Sequence, residues 1–172
     1  MLYVYSFLVE DVTSEVTEPL KKSTIARFLG VSEDSLQFAR TQNGKPYLKN
    51  YPRIHFNLSH TRGHVLLGIS DEGEIGVDIE EVSDTPPYEI VNLVFGKEEK
   101  EYLDCMPEGK AERFYELWTK KEAYLKYTGT GFLIENPEKQ DVLQVPGKFY
   151  CFMIDNCQCA VYSEKETILK LI

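Results

Sequence analysis

The chain has 172 residues, with 19 Lys plus Arg against 28 Asp plus Glu, giving a formal charge of −9 and a sequence pI of about 4.9. A hydrophobic content of 42% with 12% aromatics is too apolar for a disordered chain, and the acidic excess excludes a non-specific nucleic-acid binder, whose affinity comes from neutralising phosphates with Lys and Arg. No apolar run approaches the roughly 20 residues needed to cross a bilayer, and the length suits one domain or two small, closely packed halves.

Residues 1–10 are apolar without a basic n-region or a small-residue cleavage site, so they read as a strand over about residues 2–8 and not as a signal peptide. An acidic, Thr-rich stretch leads to Pro19, expected in the first turn of a helix that runs to Leu29 and is closed by Gly30. Residues 32–40 are ambiguous, and Asn43-Gly44-Lys45-Pro46 is a turn. Residues 54–58 and 65–70 read as strands joined by a polar loop, Asp71-Glu72-Gly73 as a turn, and residues 74–82, with the cleanest alternation, as a strand. Thr85-Pro86-Pro87 marks a hinge. Helical spacing over 88–103 is followed by a longer helix from Gly109 to about Thr128, ended by Gly129 and Gly131. The tail returns to strands at 149–154, 158–162 and 168–172, with a turn at Asp155-Asn156. Elements mixed without regular alternation predict an α+β fold with mainly antiparallel sheets. Cys151, Cys157 and Cys159 cluster while Cys105 stands apart, and no paired spacing or nearby His completes a zinc site. Reduced thiols on a hairpin, in a cytosolic compartment, are expected.

Three constellations carry chemistry. The period of two over residues 74–80 puts Ile75, Val77 and Ile79 on one face and Gly76, Asp78 and Glu80 on the other, the two carboxylates about 7 Å apart at Cα. Two such groups can share Mg²⁺, a hard cation that takes carboxylate, phosphate and water oxygens. The polar face of a half-exposed strand accounts for them equally. Phe114, Trp118, Glu122 and Lys126, each four apart, form one stripe of a helix. Glu122 and Lys126 read either as a surface ion pair or as charges turned toward a ligand. Ser59, His60 and Arg62, on a turn with Gly63, offer donors to a phosphate, against the alternative of a structural loop histidine. A serine hydrolase is a poor reading, because no Gly-x-Ser-x-Gly elbow is present.

Gly44-Lys45-Pro46, Phe56-Asn57-Leu58-Ser59-His60, Gly76-Val77-Asp78-Ile79-Glu80, Phe95-Gly96-Lys97-Glu98-Glu99, and Trp118-Thr119-Lys120-Lys121-Glu122-Ala123-Tyr124-Leu125-Lys126 with Gly129-Thr130-Gly131 follow one another in an order that resembles the 4′-phosphopantetheinyl transferases of the surfactin-synthetase type. The resemblance implies two similar α/β halves with mainly antiparallel sheets, a pseudo-two-fold and an active site in the cleft between them. The halves expected here are residues 1–84, shortened, and 85–172. It implies transfer of the 4′-phosphopantetheine arm of coenzyme A to a serine of an apo acyl or peptidyl carrier protein, with release of adenosine 3′,5′-bisphosphate. Mg²⁺, or Mn²⁺ in its place, would sit on Asp78, Glu80 and Glu122. Glu122 would be the general base, with Asp78 and Lys126 completing the catalytic set. Lys45, Ser59, His60, Arg62 and Lys126 would hold coenzyme A. Glu99 matches an acidic motif position of unassigned role, and Lys21, Lys22 and Arg27 lie where upstream basic residues would grip phosphates. The implied protein is a cytoplasmic monomer with a pseudo-dimeric fold, without nucleic-acid or membrane partners. An inactive coenzyme A-binding or carrier-docking protein of the same fold, and a Mg²⁺-dependent phosphohydrolase, are the competing functions.

Overall fold

The computed structural model describes residues 1–131 and 136–172. Strand β1 (Leu2–Leu8) buries both of its faces: Leu2 and Val4 join one core, and Tyr5 and Phe7 pack against another. It lies in a four-stranded sheet of order β4-β5-β1-β9, in which β5 (His64–Ser70) is antiparallel to both β1 and β4 (His55–Thr61), and β9 (Leu169–Leu171) adds parallel to β1. Helix α1 (Ser14–Leu29) covers the outer face, Ile25 and Ala26 meeting Phe56, Leu67 and Ile69. A short hairpin of β2 (Phe38–Arg40) and β3 (Pro46–Leu48) adds Leu48 to this core.

The second sheet has the order β6-β8-β7 and is antiparallel throughout: β6 (Ile75–Glu81), β7 (Lys148–Ile154) and β8 (Cys157–Ser163). Ile75, Val77 and Ile79 face Leu2, Val4 and Leu66 of the first sheet across a sealed core. Helix α4 (Lys110–Thr128) lies on the other face, where Ala123 packs on Ala160 and Tyr162. Helix, sheet, sheet and helix thus form four layers, an α+β arrangement with mainly antiparallel strands. Short helices α2 (Val91–Val94) and α3 (Lys97–Leu103) close the end of α4 through Val94, Phe95, Leu103 and Phe114. Among the described residues no helix is long and apolar enough to cross a membrane.

Several sequence expectations change. Helix α1 starts at Ser14, so Pro19 lies inside it, where its missing N–H costs one helical bond that the packing of Ile25 and Ala26 offsets. The helical spacing over 88–103 breaks at Phe95-Gly96, because Phe95 is extended and fully buried edge-on against Phe114. Strands β4 and β5 are joined by Arg62 and Gly63 alone, so Ser59 and His60 belong to a strand and not to a turn. Strand β6, within the first of the two expected halves (residues 1–84), is hydrogen-bonded to β8 of the second (85–172). The thiols are all free, with Cys157 and Cys159 buried on β8 and Cys105 and Cys151 exposed.

The two sheets meet along β4 and β6, which advance side by side and are joined by side chains. Asn57 Oδ1 accepts from the Val77 backbone N–H at 2.8 Å, Ser59 Oγ donates to Asp78 Oδ1 at 2.7 Å, and Thr61 Oγ1 accepts from the Glu81 N–H at 3.4 Å. Alternation along β4 turns these three residues to one face. On β6, Gly76 lets α4 approach: a Cβ there would lie 1.8 Å from the Ala123 carbonyl oxygen, so any side chain would force the helix away. On this face Gly76 and Asp78 are therefore buried under α4, and Glu80, nearer the strand end, is half-buried.

Candidate active site

Asp78 is 1% exposed, wedged between β4 and α4. Lys126 Nζ donates to Asp78 Oδ1 at 2.6 Å and to Ser59 Oγ at 2.7 Å, and the Ser59 hydroxyl donates to the same Asp78 oxygen. The closed triangle joins residues from three elements. Among the described residues, Asp78 Oδ2 is buried without a hydrogen-bond partner. A buried carboxylate oxygen left unpaired is costly, and such exceptions concentrate where a ligand or ion is handled.

Glu80, two residues on, is half-buried and accepts from the Trp118 indole N–H at 3.2 Å. Burial raises its pKa, the Asp78 charge adds to the rise, and the indole hydrogen bond opposes it. Glu122 is pushed up to about 7, first by burial and then by Asp78, with Lys126 pulling the other way and Glu80 adding a smaller rise. The helical column Phe114, Trp118, Glu122 and Lys126 therefore lies over the polar face of β6, and three carboxylates surround one ammonium. Among the described residues, no three acidic, His or Cys side chains converge tightly enough as placed to enclose a metal ion.

The raised pKa of Glu122 has a stability consequence. Between the ordinary value of 4.5 and about 7 the folded chain keeps a proton that the unfolded chain has released, so Glu122 lowers stability progressively as pH rises through that window, and the full deficit stands above it. Glu122→Gln is expected to raise the melting temperature at pH 8 by about 2–6 °C, the response to ~1–2 kcal/mol after solvent screening, and to leave it unchanged at pH 4. Thermal melts of both proteins at the two pH values check this.

The other sequence-predicted residues disperse. His60 is exposed, on the opposite face of β4 from Ser59, which it shares with Phe56 and Leu58, and Arg62 is exposed at the β4–β5 turn. Lys45 is not in the cluster: its ammonium binds Glu74 at 2.5 Å, the Tyr127 carbonyl at 3.0 Å and the Ile75 carbonyl at 3.2 Å. It bolts the β2–β3 turn to β6 and to the C-terminal end of α4, where a cation suits the helix dipole. Lys21 is buried against Glu18 and the Phe38 ring, Lys22 faces Asp34, and Arg27 lies in the last turn of α1.

Glu99 has a structural assignment. It and Lys121 are both fully buried and paired at 2.7 Å. Glu99 also accepts from the Gly96 and Val142 N–H groups, and Lys121 donates to the Pro137 and Gln140 carbonyls. Burial pulls the Lys121 pKa down, opposed by the bond to Glu99. Sequence reading missed this pair, although Lys121 lies four residues from both Leu117 and Leu125, on the apolar stripe of α4. It also missed the roles of Asn57 and Trp118, since neither residue type announces a partner on a distant strand.

Comparison with known proteins agrees with the motif order. A family model described as the 4′-phosphopantetheinyl transferase superfamily matches residues 74–167, and one described as 4′-phosphopantetheinyl transferase, N-terminal, matches residues 4–71. The 4′-phosphopantetheinyl transferase psf-1 of Bacillus pumilus is 32% identical over 128 residues, covering 74% of this chain and 54% of the relative. The 4′-phosphopantetheinyl transferase Sfp of Bacillus subtilis (strain 168) is 35% identical over 117 residues, covering 65% and 50%. The chain thus spans about half the length of the curated relatives it matches. With motifs, fold and both family models in agreement, the chain belongs to the 4′-phosphopantetheinyl transferase superfamily.

Proposed function

We propose that this chain transfers the 4′-phosphopantetheine arm of coenzyme A to a serine hydroxyl of an apo acyl or peptidyl carrier protein. The Lys126–Ser59–Asp78 triangle beside Glu122 carries the reading: an ammonium for a phosphate oxygen, a hydroxyl donor, and, in Glu122, a carboxylate that can accept a proton. The serine oxygen attacks phosphorus, its proton passes to Glu122, and the phosphoanhydride bond breaks to release adenosine 3′,5′-bisphosphate. Lys126 and Ser59 bind non-bridging oxygens, while His60 and Arg62 meet the outlying 3′-phosphate.

Asp78, Glu80 and Glu122 fit a divalent cation in donor chemistry, being all hard oxygens with one buried and unpartnered. Burial first, and then repulsion from Asp78, raises the pKa of Glu80 and of Glu122, and a cation would relieve that repulsion. Bound Mg²⁺ or Mn²⁺ would supply charge neutralisation for the diphosphate. The two sheets, each backed by one long helix, suit two halves related by a pseudo-two-fold with the site in their cleft.

Incubation with coenzyme A, Mg²⁺ and a panel of apo-carrier proteins tests the proposal. A carrier gaining the mass of one phosphopantetheine group is the expected result. No gain on any carrier would sink it, and phosphate release from coenzyme A without a carrier would favour a phosphohydrolase.

A further inference from the structure

Asp78 and Glu80 are held in different ways. Asp78 is short and fixed by two donors, Ser59 and Lys126. Glu80 sits near the end of β6 on a longer side chain, and the indole N–H of Trp118 donates to its Oε1. That indole is itself fixed. It stacks on Phe114 with centroids 6.3 Å apart and planes 8° from parallel. Phe114 is almost fully buried, with Phe95 meeting it edge-on at 5.8 Å, Tyr88 at 5.6 Å and Tyr115 at 5.3 Å. A train of rings therefore runs from the α2–α3 core along α4 to one carboxylate oxygen.

We infer that Trp118 is a positioning residue: its N–H, aimed by the ring train, holds Glu80 Oε1 and so limits the orientations from which Glu80 would share a divalent cation with Asp78. The inference rests on the cation reading above. Outer groups that orient a carboxylate ligand typically change metal affinity by 10- to 100-fold. A packing role alone would need the ring and not its N–H.

Trp118 is the only tryptophan in the chain, so growth on a tryptophan analogue with benzothiophene in place of indole replaces this ring alone, at nearly constant shape and without the N–H. Trp118→Phe is the genetic counterpart. Mn²⁺ binding is measured on the intact protein by the electron paramagnetic resonance signal of free Mn²⁺, with the melting temperature recorded alongside. The expected result is wild-type binding of Mn²⁺ and a roughly 10- to 100-fold weaker affinity in the analogue protein, at a melting temperature within a few degrees. Binding in the analogue protein within twofold of wild type would overturn the inference and leave the cation reading standing. Absence of Mn²⁺ binding by the wild-type protein would overturn both.

Discussion

Asp78→Ala is expected to lower the kcat/KM for carrier modification by at least about 10³-fold while the chain stays folded. Loss of a single electrostatic contact to a reacting oxygen commonly costs 10²- to 10³-fold. In the proposed mechanism Asp78 combines two such roles, anchoring Lys126 and Ser59 through Oδ1 and offering the buried, unpartnered Oδ2 to a cation. Removing it also removes the charge that, after burial, most raises the pKa of Glu122. Stability should hold, because an unpartnered buried oxygen and its repulsion of two other carboxylates disappear together. Carrier mass gain under single-turnover conditions, with circular dichroism of the variant, is the measurement. Transfer within tenfold of wild type in a folded variant would refute the assignment.

Lys121→Met is expected to cost about 3–5 kcal/mol of stability, a fall of roughly 10 °C or more in melting temperature, because it leaves Glu99 charged and unpaired in a fully closed interior. The instructive variant is the double replacement Glu99→Leu with Lys121→Met. Buried ion pairs are often exchanged for apolar pairs without loss. Here that rescue should fail, since the same carboxylate serves the N–H groups of Gly96 and Val142 and the same ammonium serves the carbonyls of Pro137 and Gln140. An apolar pair would orphan all four backbone groups. Chemical denaturation of the single and double variants checks this, and full recovery in the double variant would show that the backbone contacts carry little.

The sequence by itself determined where most elements lie and which polar residues share a strand or helix face. Alternation over residues 74–82 marked β6 and separated Ile75, Val77 and Ile79 from Asp78 and Glu80, because a strand's period of two is a local property. The four-residue spacing of Phe114, Trp118, Glu122 and Lys126 marked one face of α4 for the same reason, and Gly30, Gly109 and Gly129 take the left-handed backbone of helix ends that their missing Cβ permits. What those faces meet was not local. Only the tertiary structure decided that Gly76 and Asp78 of β6 are buried under α4, that Ser59 and not Lys45 reaches Lys126, and that β6 belongs with the second sheet. It also paired the fully buried Lys121, which the helical wheel puts on the apolar stripe of α4, with Glu99. Each of these facts depends on a contact between residues 22 to 88 positions apart, and neither periodicity nor propensity carries information over that distance.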